Sequence, residues 1–217
     1  MFTTVTVSSR GKPRTVVVGQ FKGENLDEVS AGVDPGQWAA WAASQDGASG
    51  DLGKVVHTFC PDGPARVVVV GLGPREGFEP GMLRAAAAAV GRFAAGSKID
   101  AMAIALEGAL KTLDDVDLGE CGRQFGEGLG LIAWNYDGLR GKATTDPERS
   151  DFTVSADDKT FTKGLEVGLG YAAGSNLART LSQTPPNIAT PAYIADQCRD
   201  LAKQTGMKCR VIEGRKL

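Results

Sequence analysis

The chain has 217 residues, of which 42% are hydrophobic and 23% are charged, a composition typical of a globular protein and not of a disordered one. Its 24 basic and 26 acidic side chains nearly cancel, so charge gives no reason to expect nucleic acid or an anionic membrane as partner. The apolar runs Val67–Val70 and Ala85–Val90 are far shorter than the ~20 residues that cross a bilayer. No secretory signal pattern is visible, and we expect a cytoplasmic protein.

The four cysteines do not form a C-x-x-C pair, and their wide spacing argues against a zinc ribbon or a small disulfide scaffold. They are Cys60, Cys121, Cys198 and Cys209. We therefore expect reduced and mostly buried thiols.

Two β-rich runs open the chain, Phe2–Val7 and Thr15–Phe21, and each predicts a short strand. A basic turn with Arg10, Lys12 and Arg14 separates them; such a turn is usually a solvated loop. The polar stretch Val29–Gly53 predicts a loop with a short helix. Lys54–Phe59 predicts a third strand, which the following prolines end.

A strand, a helix and a second strand follow, which together predict a βαβ unit. Arg66–Gly71 and Ile99–Leu106 are nearly continuous apolar runs of the kind found in parallel strands buried on both faces. The segment from Leu83 to Ala94 carries an apolar stripe at helical spacing. We predict that the two strands are adjacent and parallel at the centre of the sheet.

The segment Leu118–Trp134 predicts a helix with a stripe of glycines at Gly122, Gly126 and Gly130. Three interior glycines cost a helix about 2–3 kcal/mol relative to alanine. A helix tolerates that cost where a neighbour must approach its backbone, so these glycines should face a packed element. The same spacing recurs at Gly164 and Gly168, and we predict tight packing of helix on sheet.

The last third of the chain predicts mainly helices. A short strand at Phe152–Ser155 precedes a long helix from Asp157 to Leu181. Thr190 and Pro191 are a good N-cap and first helical residue, and Gly206 is a typical stop for that helix. Met207–Ile212 alternates apolar and basic residues as a strand does.

The turn Gly71-Leu72-Gly73 lies between a strand and a helix, where a dinucleotide-binding loop belongs. The third glycine, Gly77, comes one residue late, and Pro74 removes a backbone donor. The helix also begins too far along to aim its N-terminus at a pyrophosphate. We interpret the segment as an ordinary βα loop.

No other group of side chains predicts a catalytic, cofactor-binding or metal site. His57, the single histidine, lies within a predicted strand and is better explained as a structural residue. Asp114, Asp115 and Asp117 precede a helix, where acidic side chains cap and complement the dipole. We therefore predict that no site residue of these three kinds is present in the chain.

The segment Asn176–Leu181, then Thr184–Asn187, Thr190-Pro191 and Tyr193–Ala195 resembles the cytosolic leucyl aminopeptidase family, two-metal enzymes called aminopeptidase A in bacteria. In that family this stretch links the amino-terminal and catalytic domains. Val68–Gly73 and Glu120–Leu131 are similar to its amino-terminal domain. One departure is Gln183, where many relatives carry Asn.

The resemblance implies an α/β fold with a mixed, mainly parallel sheet flanked by helices, macro-like, followed by linker helices. It implies an amino-terminal domain at 1–174, a helical linker at 175–206 and the first strand of a catalytic domain at 207–217. The two divalent metals (Mn or Zn) and the catalytic residues would lie beyond Leu217, since Lys216 does not match the metal-binding motif. Peptide substrates and a homo-hexamer are implied for the full-length family.

Because no constellation of ligands for two metals is present, the chain itself should lack peptidase activity. From the resemblance we also expect residues 207–217 to be poorly integrated, either mobile or paired with another copy. The alternative functions are a macro-like module that binds a nucleotide or an ADP-ribose-like ligand, and a DNA-binding regulator. The poor match of the Gly71–Gly77 loop argues against the first alternative, and the near-neutral charge argues against the second.

Overall fold

The structure is a computed structural model that describes residues 2–8, 12–45, 47–137 and 148–214. Six strands lie in one sheet: β1 (Phe2–Val7), β2 (Thr15–Phe21), β3 (Val55–Phe59), β4 (Arg66–Gly73), β5 (Ala101–Ala105) and β6 (Ser150–Ser155). The helices are α1 (Glu28–Ala31), α2 (Trp38–Ala43), α3 (Leu83–Gly96), α4 (Glu107–Leu110), α5 (Leu118–Ala133), α6 (Lys159–Gln183) and α7 (Pro191–Thr205). A 3-10 turn, Pro80–Met82, leads into α3.

The strand order is β1-β6-β5-β2-β4-β3, and every neighbouring pair is parallel except β3 with β4. The predicted α/β class with a mixed, mainly parallel sheet is confirmed. The predicted adjacency of β4 and β5 is wrong, because β2 lies between them and pairs with both. Both strands do lie in the interior of the sheet.

The position of β2 follows from its burial. Val17 and Val18 have no exposed surface, and Thr15 and Phe21 at the strand ends are also buried. A strand that is apolar on both faces is stable only where both faces are covered, which favours the middle of the sheet. The same rule that placed β4 and β5 at the centre therefore applies with equal force to β2.

The two faces of the sheet are covered differently. On the first face, α3 and α5 pack over the strands and build the larger core, with fully buried side chains such as Leu83, Phe125 and Leu129. On the second face, a smaller cluster forms where Ala39 and Ala43 of α2 meet valines of β2 and β4. We refer to these below as the first and second faces.

The glycine stripe of α5 faces another helix and not the sheet. A Cβ atom at Gly122 or Gly126 would overlap the backbone carbonyl oxygen of Phe161 or Leu165 on α6, and one at Gly130 would lie 2.5 Å from the Cβ of Ala172. The prediction of a closely packed neighbour is confirmed. The expected packing of helix on sheet is wrong, since the neighbour is α6.

The glycines of α6 complete this contact from the other side. A Cβ at Gly164 would overlap the carbonyl oxygen of Gly119, and one at Gly168 that of Arg123. Because small residues on both helices let the two backbones approach closely, α5 and α6 are in direct backbone contact along this glycine seam. This glycine seam explains why both helices tolerate residues of low helix propensity.

The helix α7 has the predicted ends. The Thr190 hydroxyl accepts a hydrogen bond from the Tyr193 backbone N–H at 3.3 Å, Pro191 is the first helical residue, and Gly206 ends the helix with φ +73°. The predicted strand at Met207–Ile212 is wrong, because these residues adopt no regular structure. A single strand cannot satisfy its own backbone groups, and within the described residues no other strand pairs with it.

The segment 207–214 nevertheless agrees with the expectation of poor integration. Met207 and Ile212 are 58% and 49% exposed, whereas the valines of β4 are at most 1% exposed. Residues 215–217, with Lys216, lie outside the described residues. The predicted mobility or pairing with another copy stays a prediction.

The chain divides into two compact units. The first comprises Met1–Asn135 and Thr145–Ser175, and the second comprises Tyr136–Thr144 and Asn176–Leu217. The first unit contains the sheet, and the second contains α7. The domain limits predicted from the resemblance, 1–174, 175–206 and 207–217, stay a prediction. None of the helices in the described part of the chain has the length and apolar character to cross a membrane.

Candidate functional site

In α/β folds, ligands usually bind at the carboxyl ends of the parallel strands, and here that edge is filled by the chain itself. A Cβ at Gly71 would overlap the carbonyl oxygen of Asp51. The N–H of Gly73 donates to the carbonyl of Gly50 at 3.0 Å. The interpretation of Gly71-Leu72-Gly73 as a βα loop is wrong, because these residues are the last three of β4. Gly71 and Gly73 make room there for the neighbouring loop at Gly50 and Asp51.

Arg75 closes the same edge with a two-pronged ion pair. Its guanidinium donates to both carboxylate oxygens of Glu24 at 2.8 and 2.7 Å, and it also donates to the hydroxyl and carbonyl oxygens of Thr112 at 2.8 and 3.1 Å. The guanidinium carbon lies 4.5 Å from the centre of the Phe21 ring. The hydrogen bonds from Arg75 lower the pKa of Glu24, so this carboxylate is ionised at neutral pH.

The space beside this ion pair is small, whereas a more open depression of about 330 Å³ is lined by Arg75, Phe78 and residues 113–117. Beside Arg75 and Glu24 there is a cavity of about 70 Å³. Sites for small molecules usually measure about 300–1,000 Å³, and a water molecule takes roughly 30 Å³. This cavity can hold a water or two but not a nucleotide.

The acidic stretch before α5 acts as a helix cap. The Asp117 carboxylate accepts from the backbone N–H groups of Gly119 and Glu120 at 2.8 and 3.0 Å, as the sequence predicted. Asp115 occupies the left-handed region with φ +53°. Among the described residues, no group of three or more His, Cys, Asp or Glu side chains is placed to hold a metal ion.

His57 has a packing role on the edge strand β3. Its ring lies 4.9 Å from that of Phe93 and 5.8 Å from that of Phe59. Burial and, to a smaller extent, the charge of Arg66 lower the pKa of His57, so the ring is neutral at physiological pH. The structural interpretation of this histidine agrees with these contacts.

The cysteines are free thiols, but only two of the four are buried. Cys60 and Cys121 lie in the core, whereas Cys198 and Cys209 are exposed. The expectation of mostly buried thiols is thus only half right. Burial raises the pKa of Cys121 to about 12, and the charges of Asp117 and Glu120 add to the shift. The thiolate is the reactive form, so Cys121 is inert at neutral pH.

An open groove of about 470 Å³ lies on the second face, away from the part that α2 covers. Its floor includes Val16 of β2 and Ala103 and Ala105 of β5. These three side chains are half-buried, whereas Met102 and Ile104, which alternate with the alanines, are buried. The sequence predicted β5 to be buried on both faces, and that expectation is wrong for the face that forms this groove.

The two ends of the groove carry opposite charges. Lys12 and Arg14, which precede β2, line one end, and both are exposed. Glu107 and Asp157, which follow β5 and β6, line the other. Arg10, which the sequence grouped with Lys12 and Arg14, lies outside the described residues. The sequence showed these residues only as a loop and a helix start. They meet at one groove because β2 pairs with β5 and β5 pairs with β6.

Glu107 is the unusual member of this set. Its Oε2 is buried and has no hydrogen-bond partner among the described residues. Burial is the main cause of a raised pKa for Glu107, and the charges of Asp157 and Asp158 add to it against the effect of Lys111. A carboxylate in this situation is short of hydrogen-bond donors.

The comparisons with known proteins agree on one family. The family model described as "Cytosol aminopeptidase family, N-terminal domain" matches residues 17–143. A probable cytosol aminopeptidase of Streptomyces coelicolor is 30% identical over 248 residues, a match that covers 99% of this chain and 46% of the relative. One of Burkholderia multivorans is 28% identical and covers 93% of this chain and 41% of the relative. The chain thus spans less than half the length of these relatives.

Solved structures show the same fold. The bottromycin maturation enzyme BotP in complex with Mn superposes with a TM-score of 0.70 at 26% identity, covering 94% of this chain and 39% of that one. A mutant of tomato leucine aminopeptidase superposes with a TM-score of 0.66 at 19% identity, covering 94% of this chain and 42% of that one. At 19% identity the second likeness concerns the fold alone.

Proposed function

Because this chain belongs to the cytosol aminopeptidase family, we propose that it is the non-catalytic amino-terminal part of a leucyl-type metallo-aminopeptidase. The parent enzyme would release amino-terminal residues from peptides in the cytoplasm. The observation that carries the proposal is the match of the family's amino-terminal domain to residues 17–143, on a sheet of the family's fold. The name "cytosol aminopeptidase", printed for the relatives, supports the reaction class and the compartment.

The metals of such an enzyme would not be held by the residues described here. The fit fails on the donor set, since no three acidic, histidine or cysteine side chains in the described segments converge on one point. We propose that two divalent cations, manganese or zinc, bind in the portion of the relatives that this chain does not match. There they would polarise the scissile carbonyl and supply a hydroxide.

The first test is therefore of activity. We expect the 217-residue chain to leave leucine p-nitroanilide unhydrolysed with manganese or zinc added. A full-length relative, such as the Streptomyces coelicolor protein, prepared in the same way serves as the positive control. Release of nitroaniline that co-elutes with the chain through two different columns would contradict the proposal.

The alternative of a nucleotide-binding module has less support. At its expected position, the carboxyl edge of the sheet, the ion pair of Arg75 and Glu24 occupies the end of β4, and the cavity beside that pair measures about 70 Å³. The alternative of DNA binding has no charge to favour it, since the net charge is −2. Assembly as a homo-hexamer is proposed from the family resemblance and is tested by light scattering of a full-length relative and of this chain.

A further inference from the structure

We propose that the open groove on the second face binds a short peptide with free termini. The ammonium group of the peptide would lie toward Glu107 and Asp157, and its carboxylate toward Lys12 and Arg14. This inference does not depend on peptidase activity, because it concerns recognition by residues of this chain.

The acidic end of the groove contains a hydrogen-bond acceptor that is not satisfied by the described residues. Oε2 of Glu107 is buried and accepts no hydrogen bond from the described residues, although a buried carboxylate is costly unless it is paired. The nearby cation Lys111 is already engaged, since it donates to Asp158 at 3.1 Å. An incoming ammonium group carries three donors and a positive charge, and it would satisfy this carboxylate once a rotation of the Glu107 side chain turns Oε2 toward the groove.

The basic end supplies the opposite charge. Neither Lys12 nor Arg14 forms an ion pair with another described residue, and both are exposed beside the groove. A carboxylate placed between them would meet two cations. Because these cations remain in water, their contribution should be smaller than that of Glu107.

The register of the strands gives the length of the ligand. Val16 lies opposite Ala103 in the parallel pair of β2 and β5. Arg14 precedes Val16 by two positions, and Glu107 follows Ala103 by four. At about 3.3 Å per residue the charged ends are separated by at most about 20 Å, the length of an extended peptide of roughly five residues.

The floor explains why the ligand would be a peptide with small side chains. Ala103 and Ala105 leave a shallow apolar surface, and the volume of about 470 Å³ is typical of a small-ligand site. The strand β5 is paired on both sides, by β2 and by β6, so a peptide cannot join the sheet as a further strand. It would lie across the face and be recognised through its charged termini.

Penta-alanine tests the proposal by isothermal titration into the 217-residue chain at neutral pH and low salt. We expect the peptide with free termini to bind. Acetylation of its amino terminus should weaken binding by about tenfold, since it removes the charge that faces Glu107. Amidation of its carboxyl terminus should weaken it by about threefold, because Lys12 and Arg14 are exposed.

Substitutions on the protein provide the second arm. Glu107→Gln should weaken binding by about tenfold and Arg14→Gln by about threefold. Glu166→Gln and Arg92→Gln change the same charges at exposed positions that do not line the groove, and they should leave binding unchanged. Circular dichroism of each variant establishes that it is folded.

The proposal would be overturned by the absence of binding up to millimolar penta-alanine or by equal binding of the free and blocked peptides. Equal binding by Glu107→Gln and by its control Glu166→Gln would overturn it too. Binding of ADP-ribose in the groove in place of the peptide would also overturn it. None of these measurements depends on peptide hydrolysis. Their outcome is therefore independent of the proposal that the chain is part of a metallo-aminopeptidase.

Discussion

The two faces of the sheet are made from the same strands, yet they are closed to different degrees. On the first face, α3 and α5 bury Met102, Ile104 and Val154 completely or nearly so. On the second face, the alternate residues Ala103 and Ala105 stay half-buried beside an open groove. The burial of each face of a strand thus depends on whether a helix packs against that face, and not on the apolar content of the strand alone.

The two faces also differ in the kind of residue that lies at their contacts. On the first face, α5 and α6 are in direct backbone contact through their glycines, and Phe161 and Leu165 of α6 are buried in the core. The second face has charged groups at its margins, among them Glu107, whose Oε2 has no hydrogen-bond partner among the described residues. Substitutions in the closely packed first face should therefore lower stability. Removal of the unpaired polar group at the second face should raise it.

The glycine seam gives the largest expected effect. Gly126→Ala places a methyl group against the Leu165 carbonyl oxygen, which is backbone and cannot rotate away. We expect a loss of about 1–3 kcal/mol in the free energy of unfolding, measured by urea denaturation. Gly170→Ala is the matched control, because a Cβ there meets nothing within 4 Å. That variant should be as stable as the parent chain or more so, by up to about 1 kcal/mol; equal losses at both positions would contradict the seam.

Loss of the ion pair between Arg75 and Glu24 at the carboxyl edge should have an intermediate effect on the free energy of unfolding. Arg75→Gln removes the bidentate pair with Glu24, and both side chains are 37% exposed, so we expect a loss of only about 1 kcal/mol. The pKa of Glu24 is lowered in the folded state. Its contribution is therefore present above its unfolded pKa and is lost as the pH falls through the lowered value.

The contribution of this ion pair to stability is measured by a series of urea titrations between neutral and acid pH. The parent chain should lose stability on acidification more steeply than Arg75→Gln, which no longer holds the carboxylate. Arg92→Gln, on the exposed side of α3, should follow the parent chain. Parallel curves for the parent chain and Arg75→Gln would show that the pair adds nothing.

A substitution in the groove should change the free energy of unfolding least, and it should raise stability where the previous substitutions lower it. Because the pKa of Glu107 is raised in the folded state, its ionisation opposes folding as the pH rises through the unfolded and then the folded value. Glu107→Gln removes this charge, and we expect a gain of about 0.5 kcal/mol at neutral pH. The gain should vanish at acid pH, where the carboxyl is protonated. Thermal unfolding at both pH values, with Glu166→Gln as control, measures it; a loss of stability at neutral pH would contradict the unpaired state of Glu107.

Local patterns decided much of the fold. The bounds of β1 and β2, the N-cap at Thr190, the stop at Gly206 and the cap at Asp117 agree with the structure, because strand propensity and capping depend on a few neighbouring residues. The alternation at Met207–Ile212 predicted a strand that is not there. A strand needs a partner for its backbone groups, and the segment itself cannot show whether one is within reach.

Patterns along the chain were enough to predict the class of fold, the helix ends, the need for a close neighbour at Gly122, Gly126 and Gly130, and the family through its linker motif. The folded molecule was needed to show that β2 separates β4 from β5, that the close neighbour is α6, and that Glu107 shares a groove with Lys12 and Arg14. These two groups of features differ in the range of the interactions that produce them. Caps and periodicity act within one or two turns, whereas strand order and the meeting of distant charges depend on which surfaces the whole chain can bury together.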